Sequence, residues 1–258
     1  RQPAAQADAV GRTQRRLRLQ FAAGDRALHQ HAAVAAGQLV AQLDIGGLGQ
    51  PRVRQVRSFE ELRATRFADG INALCWERTL PGDFTEVIAK LGPSEGIVPL
   101  EDERIRALDL TPAGRLAAEA MLADQQLLRD HDLAPSLNCV YDCVRGPDAS
   151  TVPTDVTSFH VDSAPVEVDT WLCTYHGACS EGLANEEAVL QIEIPEIRRA
   201  LLKEYSGVDD AGFTEFLSDH SYDLHYAPVP TAQPFAFGTF SLWRIATQWP
   251  GSPVLPCI

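Results

Sequence analysis

Two neighbouring β-strands are predicted at TDVTSFHVD (residues 154–162) and VEVDTWLCTYHG (residues 166–177). Both runs are rich in β-branched and aromatic residues. In an extended strand, residues i and i+2 project to the same face, so His160 and Asp162 converge on one point. An imidazole and a carboxylate on one face supply two of the three ligands in the 2-His-1-carboxylate site of non-haem iron. These two residues therefore predict a metal site at the end of the first strand.

The composition is that of an acidic globular protein. The chain has 258 residues, of which 45% are hydrophobic and 22% charged, and its formal net charge is −13. This excess of acid disfavours nucleic acids and anionic membranes as partners, because both attract Lys and Arg. No run reaches the roughly 18 apolar residues of a membrane span and no signal peptide is evident, so we expect a cytoplasmic protein. The six cysteines include no C-x-x-C pair, which argues against a zinc ribbon or a thioredoxin-like motif.

Helical patterns dominate the first half of the chain. Residues 27–43 are Ala-rich with apolar positions at helical spacing. A capping box at residues 58–61 predicts a short helix, and Thr111-Pro112 predicts the N-cap and first residue of a longer one over residues 112–130. After Pro135 the pattern changes to short strands separated by turn signals.

We therefore predict an α+β protein in which N-terminal helices buttress a C-terminal double-stranded β-helix, or jelly roll. Residues 1–70 would form a helical N-terminal extension. Residues 71–258 would form the double-stranded β-helix domain with flanking helices and a helical insertion near residues 194–220. This arrangement would place His160 and Asp162 at the mouth of the barrel, where ligand cavities form.

Short motifs resemble those of a bacterial family of unknown function that is similar to the Fe(II)/2-oxoglutarate oxygenases of the cupin-like, double-stranded β-helix fold. Members carry F-H-x-D followed by C-T-Y-x-G, and later a Trp-Pro-Gly loop and a His-Arg-Ser-Pro-like segment. Here the matching residues are Ala73-Leu74-Cys75-Trp76-Glu77-Arg78, Phe159-His160-Val161-Asp162, Leu172-Cys173-Thr174-Tyr175-His176-Gly177 and Trp249-Pro250-Gly251. The resemblance implies an oxygenase whose distal His ligand would come after Ile258.

Within the chain, His225 is the best candidate for the third metal ligand. It lies on the predicted strand SYDLHYAPV (residues 221–229), 65 positions after His160. An ordinary buried histidine would look the same in the sequence, with the true ligand following Ile258. Both alternatives therefore stay open.

Two further residues are candidates for holding a cosubstrate. Arg244 offers a guanidinium that can bind a carboxylate with two parallel hydrogen bonds, and an ion pair with an acidic residue is the competing role. In oxygenases of the resembled fold, a Tyr on the strand before the His-x-Asp motif often contacts the cosubstrate, which implies that role for Tyr141.

The leading functional hypothesis is a non-haem Fe(II), 2-oxoglutarate-dependent oxygenase that acts on a small molecule, an amino acid or a peptide. A second hypothesis is a cupin-like protein without catalysis that binds or senses Zn(II) in a closed site, with Cys173 or His176 among the ligands. A third is that His160 and Asp162 form only a structural hydrogen bond. The sequence carries no G-x-S-x-G, G-x-G-x-x-G or Walker motif, so no motif indicates a hydrolase or a nucleotide-binding protein.

Overall fold

The computed structural model describes residues 16–22, 52–141, 151–154 and 158–258, which contain twelve β-strands and six α-helices. The strands are β1 (Arg16–Ala22), β2 (Val53–Val56), β3 (Ala73–Trp76), β4 (Ile97–Pro99), β5 (Pro135–Val140), β6 (Phe159–His160), β7 (Asp169–His176), β8 (Glu181–Gly182), β9 (Ala188–Leu190), β10 (His225–Pro228), β11 (Phe235–Ala236) and β12 (Leu242–Ala246). The helices are α1 (Phe59–Ala64), α2 (Phe84–Leu91), α3 (Asp102–Arg106), α4 (Pro112–Arg129), α5 (Pro195–Tyr205) and α6 (Ala211–Asp219).

Seven strands form one large sheet in the order β2-β3-β12-β7-β1-β5-β4. All neighbouring pairs are antiparallel except β2 and β3, which are parallel. Two small antiparallel sheets accompany it, one with the order β6-β10-β9 and one that pairs β11 with β8.

Two helices of the first half begin at residues that the sequence predicts as N-caps. The Ser58 side chain accepts a hydrogen bond from the backbone N–H of Glu61 and so begins α1. Thr111 caps α4 in the same way through the N–H of Gly114, with Pro112 as the first helical residue. Both predicted helix starts are confirmed. No helix in the described segments has the length and apolar character needed to cross a bilayer.

The two faces of the large sheet pack against different cores. On β7, Trp171, Cys173 and Tyr175 join a helix-side core with Leu62 of α1 and Met121 of α4. Leu172, between them on the strand, joins an opposite-face core made up of Ala73, Cys75, Phe237, Trp243, Ile245 and Cys257. This alternation follows from the period of two along a strand, and it decides below which residues can reach the candidate site.

The small sheet β6-β10-β9 is joined to the large one through the end of β12. The backbone N–H of Gln248 donates to the carbonyl of Asp162 at 2.7 Å, and Ala164 N–H donates to the carbonyl of Gln248 at 2.8 Å. Val161 packs with Leu183, Leu224 and Ile258 in a separate buried cluster. These contacts hold the segment that follows β6 against the end of β12.

The α+β prediction is confirmed, whereas the double-stranded β-helix stays a prediction. The N-terminal part differs from the helical extension expected over residues 1–70, because β1 lies between β7 and β5 in the large sheet and β2 forms one of its edges. Helices α5 and α6 lie in the region of the predicted insertion, residues 194–220. The predicted helix over residues 27–43 lies outside the described residues.

Candidate functional site

The candidate site lies where β6 pairs with β10. His160 is the direct antiparallel partner of His225, and Phe159 is the partner of Tyr226. Residues that face each other across antiparallel strands place their side chains on one face. The two imidazole rings accordingly lie with their centroids 5.5 Å apart and their planes inclined by 35°.

The orientation of His160 is fixed by a backbone acceptor. Its Nδ1 lies 2.9 Å from the carbonyl oxygen of Ser158. A carbonyl only accepts, so this contact assigns a proton to Nδ1, and in the neutral ring Nε2 carries the lone pair. Nε2 lies 3.8 Å from Oδ1 of Asp162, and both side chains are half-buried. The ring therefore presents a metal-binding nitrogen toward the carboxylate.

Asp162 is held from its other side by the large sheet. The hydroxyl of Thr170, a buried residue of β7, donates to Asp162 Oδ2 at 2.5 Å. This bond orients the carboxylate so that Oδ1 is the oxygen that lies nearer to His160. Such outer hydrogen bonds commonly orient carboxylates that bind metals.

His225 is buried and is oriented by the same serine that orients His160. Its Nδ1 lies 2.9 Å from the hydroxyl oxygen of Ser158, while the carbonyl of that serine binds His160. One residue thus contacts both imidazoles. Through these bonds and the register of β6 and β10, the structure brings His160, Asp162 and His225 into one neighbourhood.

These residues fit a metal ion only in part. Two donor atoms at about 2.1 Å from one ion lie about 3.0 Å apart in octahedral coordination. The 3.8 Å between His160 Nε2 and Asp162 Oδ1 is wider, so the two side chains must move closer to share an ion. Within the described ranges, no three His, Cys, Asp or Glu side chains converge closely enough to hold a metal as they stand. Two donors are present, and His225 is their neighbour.

The last residues of the chain lie beside the same site. Burial, followed by the negative charge of Asp162, raises the pKa of the Cys257 thiol to about 12. Ile258 packs in one cluster with Val161, and its carbonyl accepts from the N–H of Leu183 at 2.8 Å. Cys257 is therefore the residue of this segment that lies near Asp162. This placement keeps open the expected ligand after Ile258.

Arg244 already makes several hydrogen bonds within the protein, whereas a residue that binds a cosubstrate carboxylate would keep its guanidinium available. Its Nε donates to Oδ2 of Asp169 at 2.7 Å. Its Nη1 donates to backbone carbonyls at the end of α1, at distances of 3.1, 2.8 and 2.9 Å for Leu62, Arg63 and Thr65. The guanidinium therefore ties β12 and β7 to α1.

The register of the large sheet places Arg244 on the face away from Asp162. Arg244 is in register with Trp171, and its neighbour Ile245 is in register with Thr170, the residue that binds Asp162. Successive residues on a strand point to opposite faces. The structure therefore does not bring Arg244 together with His160 and Asp162.

Tyr141 also lies away from the candidate site. Its side chain is 1% exposed and belongs to the helix-side core with Leu137, Cys139 and Trp171. Its backbone N–H donates to the carbonyl of Gly96 at 2.8 Å. Neither residue expected to hold the cosubstrate therefore lies on the side of the sheet from which Thr170 reaches Asp162.

Ser158 and Thr170 were not predicted from the sequence to be parts of the site. Ser158 stands two positions before His160, so the period of two along a strand would have identified it as a neighbour on the same face. Thr170 is eight positions from Asp162 and has no local pattern that distinguishes it from other strand threonines.

Comparisons with known proteins add no family to this description. No protein-family model, curated protein or solved structure matches the chain.

Proposed function

We propose that this protein is a non-haem Fe(II), 2-oxoglutarate-dependent oxygenase whose metal binds His160 and Asp162. The observation that supports the proposal best is the orientation of these two side chains. The Nδ1 of His160 is bound to the Ser158 carbonyl and Asp162 Oδ2 to the Thr170 hydroxyl, so the remaining donor atoms of both residues lie 3.8 Å apart. At 3.8 Å the two atoms form no hydrogen bond with each other, and a shift that brings them closer would let them share an ion.

The third ligand in this proposal is His225 or a residue that follows Ile258. The pairing of β6 with β10 supports His225, and the position of Cys257 near Asp162 leaves the alternative open. Three protein ligands leave open positions for substrate and oxygen, which a closed four-ligand site would not. Bound Fe(II) would activate dioxygen, and 2-oxoglutarate would supply electrons by its decarboxylation to succinate.

The finer fold that accompanies this proposal is a double-stranded β-helix. Antiparallel pairing throughout the three-stranded sheet β6-β10-β9 supports it, as does the hydrogen bond that joins Asp162 to Gln248 after β12. The proposal does not assign Arg244 or Tyr141 to the cosubstrate, because both face the helix-side core. A carboxylate of 2-oxoglutarate would need another partner, and the experiment below tests directly whether the cosubstrate binds.

The experiment is an anaerobic titration of the purified protein with Fe(II), followed by 2-oxoglutarate. We expect a weak visible absorption band when both are bound, and succinate formation on exposure to oxygen with a suitable substrate. Asp162→Ala should abolish metal binding and leave the fold intact, since it removes a charged ligand. Asp109→Ala, which removes an exposed carboxylate near Lys90, serves as the control and should bind Fe(II) like the wild type.

One result for Asp162→Ala would contradict the proposal. If Asp162→Ala leaves metal content unchanged and only lowers the free energy of unfolding by about 1 to 3 kcal/mol, His160 and Asp162 have a structural role and the proposal is wrong.

The zinc-binding alternative has less support from the geometry. Cys173 is buried in the helix-side core, its Sγ lies 3.5 Å from Nη2 of Arg78, and burial raises its thiol pKa to about 12. Cys173 lies on the helix-side face of β7, opposite the face from which Thr170 reaches Asp162, so its thiol does not join His160 and Asp162. The same titration with Zn(II) separates the two functions, because a closed zinc site would bind Zn(II) tightly and show no 2-oxoglutarate band.

A further inference from the structure

The Trp249-Pro250-Gly251 loop takes no part in the proposed metal site, yet its first two residues line a cavity of about 400 Å³. Gly251 has a positive φ of 85°, and the N–H of Ser252 donates to the carbonyl of Trp249 at 3.0 Å. With Pro250 before the glycine, these features define a type II turn, which fixes the backbone that carries Trp249. The cavity volume lies in the roughly 300 to 1,000 Å³ range of small-molecule sites.

Trp249 differs from the other three tryptophans in the partners of its indole ring. Trp76 has a guanidinium over its ring, Trp171 has a phenyl neighbour, and the Trp243 N–H donates to a backbone carbonyl. Within the described ranges, the indole of Trp249 has no aromatic, cationic or hydrogen-bond partner. This half-buried ring therefore leaves an apolar face and an N–H donor for a ligand.

Three further polar side chains line the cavity without a partner in the protein. Ser163 and Gln248 pair in an isolated parallel bridge, so their side chains lie on the same side of the backbone. Ser218 of α6 lines the cavity as well. In the part of the chain that the structure describes, none of these three exposed side chains makes a hydrogen bond to protein. Their donors and acceptors are therefore available to a bound molecule.

Charged ligands are poor candidates for this cavity. No Lys, Arg or His is among the residues that line it, so an anion would find no counter-ion there. The one charged residue of the lining, Asp223, has its Oδ1 buried within the protein, and we assign it no contact with a ligand. An aromatic face and neutral hydrogen-bonding groups remain.

We propose that this cavity binds a neutral cyclic polyol of monosaccharide size. One C–H face of the ring packs on Trp249, and the ring hydroxyls exchange hydrogen bonds with Ser163, Ser218 and Gln248. Hydroxyls suit these partners because serine hydroxyls and amides both donate and accept, as sugar hydroxyls do. The residues that line the cavity do not include His160, Asp162 or His225, so the inference goes beyond the proposed oxygenase function and does not rest on it.

The test compares three ring polyols, myo-inositol, D-glucose and D-galactose, with cyclohexanol, which keeps a six-membered ring but carries a single hydroxyl. Binding is measured by saturation-transfer NMR on metal-free protein. We expect at least one polyol to bind about tenfold or more tightly than cyclohexanol, since each paired hydroxyl adds a hydrogen bond.

Two variants test the assigned contacts. Gln248→Ala removes the amide, and Trp249→Leu removes the aromatic face but keeps an apolar side chain. Each should weaken binding of that polyol about fivefold or more, which corresponds to the loss of one hydrogen bond or one stacked ring. Gln248→Ala should leave cyclohexanol binding unchanged.

The matched control is Gln126→Ala, which removes an exposed amide on α4 and should bind the polyol like the wild type. Circular dichroism checks that each variant is folded. Absence of binding of all three polyols to the wild type would overturn the proposal. So would a cyclohexanol affinity equal to theirs, an unchanged polyol affinity in either cavity variant, or an equal loss in Gln126→Ala.

The outcome is separable from that of the metal experiment. His160→Ala should lose metal binding and retain polyol binding, because His160 is not among the residues that line the cavity. Loss of polyol binding in a folded His160→Ala protein would show that the polyol binds elsewhere and would contradict this inference.

Discussion

At the scale of single residues, the candidate site depends on side chains that orient other side chains. Ser158 contacts both imidazoles, and Thr170 fixes the carboxylate of Asp162. Neither residue is a proposed metal ligand. Their hydrogen bonds decide which nitrogen and which oxygen remain available for an ion.

The role of Thr170 can be tested by one conservative change. Thr170→Val removes the hydroxyl but keeps the branched shape, so the carboxylate of Asp162 loses its hydrogen bond and becomes free to rotate. We expect Fe(II) affinity to fall by about 10- to 100-fold, as is usual when an outer hydrogen bond to a ligand is lost. Affinity would be measured by anaerobic titration of both proteins.

Thr247→Val is the control for this change. Thr247 is also buried, and its hydroxyl donates to the carbonyl of Val168 at 2.5 Å. It should lower stability and leave Fe(II) affinity unchanged. Equal Fe(II) affinities of Thr170→Val and the wild type would show that the bond to Asp162 does not prepare a ligand.

What the sequence could predict at this scale depends on distance along the chain. Strand periodicity predicted that His160 and Asp162 lie close together, and they do, although β6 ends at His160 and Asp162 lies in the segment after it. The face on which Arg244 lies could not be predicted, because it depends on which neighbour β12 takes in the sheet. The bond from Thr170 to Asp162 likewise requires β7 to lie beside the segment after β6.

At the scale of elements, a buried polar network joins α4 to the large sheet. Arg78, just after β3, donates two hydrogen bonds to the carboxylate of Asp124 on α4, at 2.6 and 2.8 Å. The hydroxyl of Tyr175 on β7 donates to the same carboxylate at 2.6 Å. Burial opposes the charge on Arg78, but the hydrogen bonds and charge of Asp124 outweigh it, so the pKa of Arg78 is raised.

Removal of Asp124 should therefore destabilise the fold strongly. The side chains of Arg78 and Asp124 are 7% and 8% exposed, so Asp124→Ala leaves a guanidinium buried without its counter-ion. We expect the free energy of unfolding to fall by about 3 to 5 kcal/mol, measured by urea denaturation. Asp109→Ala, at an exposed ion pair with Lys90, should have little effect and is the control. Similar midpoints for the two variants would mean that the network does not stabilise the packing of α4.

The helices were more predictable than the pairing of the strands. Ser58 and Thr111 each cap a helix by accepting a hydrogen bond from the backbone N–H three residues later. Because both partners are close in the sequence, the helix start can be predicted from the sequence alone. Strand neighbours depend on contacts between distant segments. The N-terminal β1 pairs with β5 and β7, more than a hundred residues away, and nothing in its own sequence indicated that partnership.

At the scale of the whole molecule, the large sheet divides the protein into two chemical environments. Helices and the network of Arg78 and Asp124 occupy one face. The other face carries Thr170, through which the sheet reaches Asp162. The α+β class was predictable from the change of pattern near Pro135. The separation of the two faces was not, and it explains why Arg244 and Tyr141 lie apart from the candidate site.

The central claim is that His160 and Asp162 hold one metal ion, and anomalous diffraction tests it most directly. Crystals soaked with Mn(II), which accepts nitrogen and oxygen ligands, would be measured at the manganese absorption edge. The account predicts one anomalous peak at about 2.2 Å from both His160 Nε2 and Asp162 Oδ1. The same map would identify the third ligand as His225 or another group. A structure with no peak there, or with manganese bound only elsewhere, would contradict the account.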